Sequence, residues 1–96
     1  GPLTVDLASR QVLLHGKEVR LTATEYALLT ILVRHAGKVV TQKQLLREVW
    51  GPHHDEHSQY LRVYFTHLRK KIDPDETGLI TTEPRVGYRM RAGVGT

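Results

Sequence analysis

Cysteine is missing from all 96 residues of the sequence. Without thiols the chain has no disulfide framework, and it offers no thiolate ligand to a metal ion. Chains of this kind suit a reducing compartment, so we expect a cytoplasmic protein.

Long apolar runs are missing too, since charged and polar residues interrupt every hydrophobic stretch well short of the roughly 20 residues that a membrane-spanning helix needs. The N-terminus has no signal-peptide core. The sequence therefore predicts a soluble domain without a membrane partner. The first two residues, Gly1 and Pro2, look like the remnant of a cleaved expression tag, and we expect residues 3–96 to form a single domain.

Acidic residues are absent from His57 to Ile72, although Asp55 and Glu56 precede this stretch and Asp73 follows it. Four apolar residues recur within it at helical spacing, namely Leu61, Phe65, Leu68 and Ile72. This period predicts a helix over 57–72 with one narrow buried face. The whole chain has 14 Lys and Arg against 10 Asp and Glu, an excess that suits a polyanionic partner.

The opposite face of the predicted helix presents amide, methyl, hydroxyl, imidazole and ammonium groups, from Gln59, Val63, Thr66, His67 and Lys70. Groups of these kinds contact base edges in the DNA major groove. The alternative is purely structural, because acids before a helix and cations in its last turn also stabilise the helix dipole. Five aromatic residues are predicted to lie at the core or its edge and not to form a platform that stacks single-stranded bases, namely Tyr26, Trp50, Tyr60, Tyr64 and Phe65.

Capping signals predict the two preceding helices. Thr22 and Glu25 form a capping box before an apolar segment that ends near Gly37, and Thr41 with Gln44 opens a shorter helix that ends at Gly51. Short β-prone runs at 3–7, 11–15 and 18–21 predict an antiparallel meander before the first helix.

Alternating residues at 79–83 and 86–91 predict a closing hairpin, with Pro84 and Arg85 at its tip. The order of elements is a helix, a connection longer than a simple helix-turn-helix allows, a basic helix and a hairpin. This order predicts an α+β winged helix-turn-helix. The negative potential of a narrow minor groove attracts arginine, so the wing at 79–91 is predicted to carry Arg85 toward that groove.

Several short motifs follow one another along the chain, namely Leu21-Thr22, Glu25-Tyr-Ala-Leu-Leu29, Val49-Trp50-Gly51, Leu68-Arg69-Lys70-Lys71 and Gly87-Tyr88-Arg89. Their order and spacing resemble the OmpR/PhoB winged-helix effector domain over residues 3–91. Residues 56–62 and 67–69 are most similar to the KdpE branch, which regulates a potassium-uptake operon. The resemblance implies a response regulator whose receiver domain lies outside residues 1–96. It also implies a cognate histidine kinase, RNA polymerase and double-stranded DNA as partners, a dimer on DNA, and no cofactor.

The resemblance also implies roles for individual residues. It places Gln59, Val63, Thr66, His67 and Lys70 at or near base-facing positions, and Arg62, Tyr64, Arg69 and Thr82 at phosphate contacts. We add Lys43, at the start of the second helix, to the expected phosphate contacts. Family members commonly have glycine where Arg85 stands. The connection before the basic helix corresponds to a polymerase-contact loop with His53, His54, Asp55 and Glu56, and its alternative is a plain connector.

Three other functions compete with DNA binding. His53, His54, Asp55, Glu56 and His57 have side chains that bind zinc, but neighbouring ligands on one loop rarely converge on one ion. An enzyme is disfavoured because the Ser and Thr residues fit as caps or strand residues, with no nucleophile-elbow motif. A winged helix that binds RNA or protein is the remaining alternative, because the fold is not restricted to duplex DNA.

Overall fold

The computed structural model describes residues 2–52 and 59–93 and confirms the predicted winged-helix α+β class. The elements in this part are β1 (Leu3–Asp6), β2 (Gln11–Leu14), β3 (Lys17–Glu18), α1 (Ala23–Arg34), β4 (Val39–Thr41), α2 (Gln42–Trp50), α3 (Leu61–Ile72), β5 (Ile80–Glu83) and β6 (Gly87–Met90). No helix among these residues has both the length and the apolar character needed to cross a membrane.

The N-terminal sheet is antiparallel in the order β1-β2-β3. Leu3, Val5 and Val12 are buried, as expected for strands with one face on the core. The third strand is shorter than predicted. It ends at Glu18, and the Val19 amide makes one further bond of 2.8 Å to the Val12 carbonyl before the chain turns to begin α1.

Both predicted helix caps are present. In α1 the Glu25 amide donates to Thr22 Oγ1 at 3.2 Å, while Glu25 Oε1 accepts from the Thr22 amide at 2.9 Å, which completes the capping box. In α2 only half of the box forms. Thr41 Oγ1 accepts from the Gln44 amide at 3.1 Å, but the Gln44 side chain donates to Glu48 one turn later.

Strand β4 was not predicted, and it makes the C-terminal sheet three-stranded in the order β4-β6-β5. Val40 pairs with Tyr88, and Tyr88 pairs on its other side with Thr82. The predicted hairpin is therefore present. Strand β4 pairs with its second strand and leads directly into α2. This attachment fixes the wing relative to α2.

The predicted buried face of α3 is confirmed, because Leu61, Phe65, Leu68 and Ile72 are all almost fully buried. The Phe65 ring stacks on Tyr88 of β6, with 3.9 Å between ring centroids. The helix begins at Leu61, later than the predicted His57, and the predicted residues His57 and Ser58 lie outside the described part. Apolar periodicity locates the buried face of a helix but not its terminus, which explains the difference.

Glu25 has a second partner that the sequence did not reveal. The residue is only 3% exposed, and Oε1 also accepts from Lys71 Nζ of α3 at 2.6 Å. Burial raises the pKa of Glu25, but the bonds from Lys71 and Thr22 lower it by more, so the pKa lies below its ordinary value. The bond ties the first turn of α1 to the last turn of α3.

Replacing Lys71 with methionine should lower the free energy of unfolding by about 1 to 2 kcal/mol, because the buried Glu25 carboxylate loses its cationic partner. The side chain of Lys71 is 38% exposed, so solvent screening keeps the loss in this range. The loss should be complete above the unfolded pKa of a glutamate, about 4.3, and vanish as the pH falls through the lower folded pKa. Urea unfolding at several pH values measures this, with exposed Lys70→Met as the control. An equal cost at pH 7 and pH 2 would show that the loss does not come from the ion pair.

Candidate nucleic-acid interface

The face of α3 opposite its buried residues is open to solvent. Val63 is 48% exposed, and Thr66, His67 and Lys70 are exposed as well, with Gln59 exposed just before the helix. Thr66 Oγ1 donates to the Arg62 carbonyl at 2.9 Å, so its oxygen remains free to accept a hydrogen bond. The residues predicted to contact bases thus share one surface, which we call the outward face.

A groove of about 520 Å³ joins the beginning of α3 to the wing. It brings together the predicted base contact Gln59, the predicted phosphate contacts Arg62 and Thr82, and Arg85 of the wing tip. Gln42, the first residue of α2, also lines it, and sequence reasoning missed this residue although a helix N-terminus is a common place for anion contacts. Lys43 follows Gln42 and is exposed.

Arg69 and Thr82, predicted as separate phosphate contacts, are bonded to each other. Arg69 Nη2 donates to Thr82 Oγ1 at 2.6 Å, and the guanidinium carbon lies 5.8 Å from the centre of the Tyr88 ring. Arg69 Nε is buried and has no acceptor among the described residues. Arg69 therefore links α3 to the wing sheet, and a phosphate could be approached only by its remaining N–H groups.

Burial raises the pKa of Tyr88, although the charges of Arg69 and Arg62 act in the opposite direction. The hydroxyl consequently stays protonated across the physiological range. Tyr88 also lines the groove between α3 and the wing.

The two tyrosines near the beginning of α3 differ in their surroundings. Tyr64 is half-buried, and its ring lies 5.4 Å from that of Trp50, the last residue of α2. Tyr60 is 49% exposed, so the prediction that it lies at the core edge is wrong. The reason is its position before the first turn of α3, outside the buried row of apolar residues.

Backbone hydrogen bonds of Val86 connect the wing tip to β5 and to the beginning of α2. The Val86 amide donates to the Glu83 carbonyl at 3.0 Å, and the Val86 carbonyl accepts from the Gln42 amide at 3.0 Å. Arg85 has a φ of 65°, in the left-handed region where a side chain is disfavoured and glycine is not. Arg85 therefore adopts the left-handed backbone conformation that favours glycine, and its side chain is exposed.

Replacing Arg85 with glycine should leave the free energy of unfolding unchanged or raise it by up to about 1 kcal/mol, because the left-handed strain disappears while glycine adds backbone entropy. DNA affinity should fall about tenfold through the lost charge, as it should for Arg85→Ala. Thermal unfolding and a DNA titration measure the two effects, and Arg85→Ala, which keeps the strain, is the control. A lower unfolding temperature for the glycine variant would indicate that Arg85 stabilises the wing by packing.

The predicted polymerase-contact residues His53, His54, Asp55 and Glu56 lie outside the described residues, as does His57 of the alternative zinc site. Elsewhere, within residues 2–52 and 59–93, no group of three or more His, Asp or Glu side chains is placed to hold a metal ion. Both predictions for this connection remain untested by the geometry.

The sequence is similar to those of known transcriptional regulators. Residues 16–90 match the family described as "Transcriptional regulatory protein, C terminal". The chain is 51% identical over 90 residues to the KDP operon transcriptional regulatory protein KdpE of Escherichia coli strain K12. That match covers 92% of the chain but only 40% of the length of the relative.

Solved structures share the fold as well. The Klebsiella pneumoniae RstA DNA-binding domain, solved in complex with the RstA box, is 32% identical with a TM-score of 0.82, over 95% of this chain and 92% of that one. The Thermotoga maritima response regulator DrrB, an OmpR/PhoB homologue, is 32% identical with a TM-score of 0.83, over 95% of this chain and 42% of that one.

Proposed function

Since the chain belongs to the OmpR/PhoB-type family of transcriptional regulatory protein C-terminal domains, as a KdpE-like member, we propose that it binds a specific duplex DNA sequence with α3 in the major groove and the wing toward the minor groove. The observation that supports this most is the outward face of α3. Its polar and methyl groups are exposed, while the opposite side of the same helix is packed on the core. A helix held in this way can enter a major groove without disturbing the fold.

Base contacts are assigned to the outward face. Val63 would pack on a thymine methyl, and Thr66 and His67 would face polar base edges. Gln59 and Lys70, at the two ends of the face, would extend the contact along the groove. The amide of Gln59 suits adenine, and the ammonium of Lys70 suits the acceptor atoms of guanine.

Phosphate contacts are assigned to the residues around that face. Arg62 and Lys43 are exposed cations, and Tyr64 and Thr82 offer hydroxyl groups. Arg69 would contact a phosphate while it remains bonded to Thr82. These contacts orient the domain and carry little sequence information. Arg85, at the fixed wing tip, would enter the minor groove.

The chain spans 40% of the length of its KdpE relative, and we propose that it works as part of a longer regulator. We assign to that protein a receiver domain, a cognate histidine kinase, dimerisation on DNA, a cytoplasmic location and control of a potassium-uptake operon, the last because the Escherichia coli relative is named for the KDP operon. His53, His54, Asp55 and Glu56 would contact RNA polymerase. Regulation, and not catalysis, fits the matched family.

A salt titration with duplex DNA, duplex RNA and single strands tests the proposal. Binding should be tightest to duplex DNA. Arg62→Ala should make the negative slope of log affinity against log salt shallower by about 0.9, because one phosphate contact is lost. Arg34→Ala, an exposed cation in the last turn of α1, should leave the slope unchanged. Tighter binding to duplex RNA, or an unchanged slope for Arg62→Ala, would contradict the proposal.

A further inference from the structure

The connection from α3 to β5 has no regular secondary structure, yet its path is closely defined. It includes two residues with positive φ, Glu76 at 54° and Gly78 at 85°. The Glu76 amide donates to the Asp73 carbonyl at 3.0 Å, and Leu79 at its end is buried. This short segment joins the end of α3 directly to the first strand of the wing.

A single buried carboxylate holds the connection in place. One oxygen of Asp73 accepts from the Thr77 amide at 2.9 Å and from the Thr77 hydroxyl at 2.7 Å. The other oxygen accepts from the amides of Gly78 at 3.0 Å and Leu79 at 3.1 Å. Asp73 is 8% exposed, and its four bonds leave little freedom for either oxygen to exchange partners.

These four donors favour the ionised form of the Asp73 carboxyl group. Burial raises the pKa of its carboxyl group, but the bonds from Thr77, Leu79 and Gly78 lower it by more, so the pKa lies below its ordinary value. The sequence identified Asp73 only as the acidic residue that follows the predicted helix. The structure shows that the side chain of this residue organises the first turn after α3 and the beginning of the wing.

From this geometry we infer that Asp73 is a positioning residue for DNA recognition: it fixes the wing relative to α3, so that Arg85 reaches the minor groove while the outward face occupies the major groove. The inference rests on the proposed function. Two elements that contact one duplex must keep a spacing that matches the distance between neighbouring grooves, and a rigid connection retains that spacing before binding. Asp73 itself touches no DNA and acts through the backbone of residues 77–79.

Asparagine at position 73 is the sharpest substitution because it has the same shape. Its amide oxygen can keep two of the four donors, but its NH₂ group faces the other two and cannot accept from them, so at least one backbone N–H group loses its acceptor. It also removes a negative charge, which raises affinity for all DNA alike. A double-mutant cycle cancels this additive effect and isolates the coupling between Asp73 and Arg85.

The cycle compares the 96-residue chain, Asp73→Asn, Arg85→Ala and the double variant on a duplex selected from a random library by the unchanged chain. Arg85→Ala should weaken binding about tenfold in the original chain and less than about threefold in the Asp73→Asn background, a coupling of the size seen in shared networks. Thr77→Val, which deletes only the hydroxyl bond, should give a smaller coupling of the same sign. If Asp73→Asn does not fold, the cycle between Thr77→Val and Arg85→Ala tests the inference in its place.

Val12→Ala is the matched control, since it destabilises the N-terminal sheet and leaves the connection intact. The Arg85→Ala effect in that background should equal the effect in the original chain. Equal effects of Arg85→Ala with and without Asp73 or the Thr77 hydroxyl would overturn the inference while the proposed function stands. No effect of Arg85→Ala in the original chain would overturn the proposed role of the wing and the inference with it.

Discussion

Alanine in place of Gly87 should disrupt the wing sheet, and we expect the free energy of unfolding to fall by about 3 kcal/mol or more. A Cβ atom at this position would lie 1.9 Å from the Val40 carbonyl oxygen and 2.9 Å from Thr41 Cα. Both atoms belong to the backbone of β4, which cannot rotate away as a flexible side chain would. The variant must therefore separate β4 from β6, and α2 begins directly after β4.

Denaturant unfolding measures this loss, and Gly16→Ala is the matched control. Gly16 has a φ of 80°, but a Cβ atom there would have no neighbour within 4 Å among the described residues, so only left-handed strain of about 1 kcal/mol is expected. DNA binding should fail for Gly87→Ala and survive for Gly16→Ala. Equal and small losses for both variants would mean that β4 and β6 are not as close as described.

Alanine in place of Phe65 should cost about 3 to 5 kcal/mol, because the substitution removes a fully buried ring and leaves a cavity. The same ring stacks on Tyr88, and this aromatic pair contributes roughly 0.5 to 1.5 kcal/mol beyond simple burial. Since Tyr88 belongs to the wing sheet, the variant should also loosen the contact between α3 and the wing.

Val63→Ala is the control for Phe65→Ala, because it lies on the exposed side of the same helix. Its cost should stay within about 0.5 kcal/mol, as is usual for exposed sites. Thermal and urea unfolding of both variants measure the difference. Similar losses for the two would show that the buried and outward sides of α3 have been assigned incorrectly.

Features that depend on neighbours in sequence were predictable. The caps at Thr22 and Thr41 are formed by residues three apart, and the buried side of α3 follows from one helical period. The outward face was predicted at the same time, because a helix that buries Leu61 and Leu68 must expose Val63 and Thr66.

Features that depend on distant residues were not predictable. Strand β4 has three residues, and it is a strand only because Val40 pairs with Tyr88 near the other end of the chain. Lys71 could be assigned to the last turn of α3, but nothing local indicated that its partner is the capping residue Glu25.

The candidate site shows the same division. The exposure of Val63 and His67 follows from helix geometry, whereas the bond from Arg69 to Thr82 requires the wing to fold back onto α3. Arg85 stood out in the sequence because members of the resembled family commonly have glycine at this position. Its left-handed backbone explains why glycine suits the position, while the arginine adds a charge at the tip.

Selection of duplexes from a random library tests most directly whether the outward face of α3 determines DNA preference. The original chain, Val63→Ala and His67→Ala would each be used to select duplexes from the library. Lys38→Ala, at an exposed position in the turn after α1, is the control. Each α3 variant should lose roughly 1 to 3 kcal/mol of discrimination at the base pair it contacts and little affinity for random DNA, while the control keeps the original preference. The assignment of base contacts to α3 would be contradicted if both variants retained the original preference while neutral replacements of residues 53–57 abolished DNA binding.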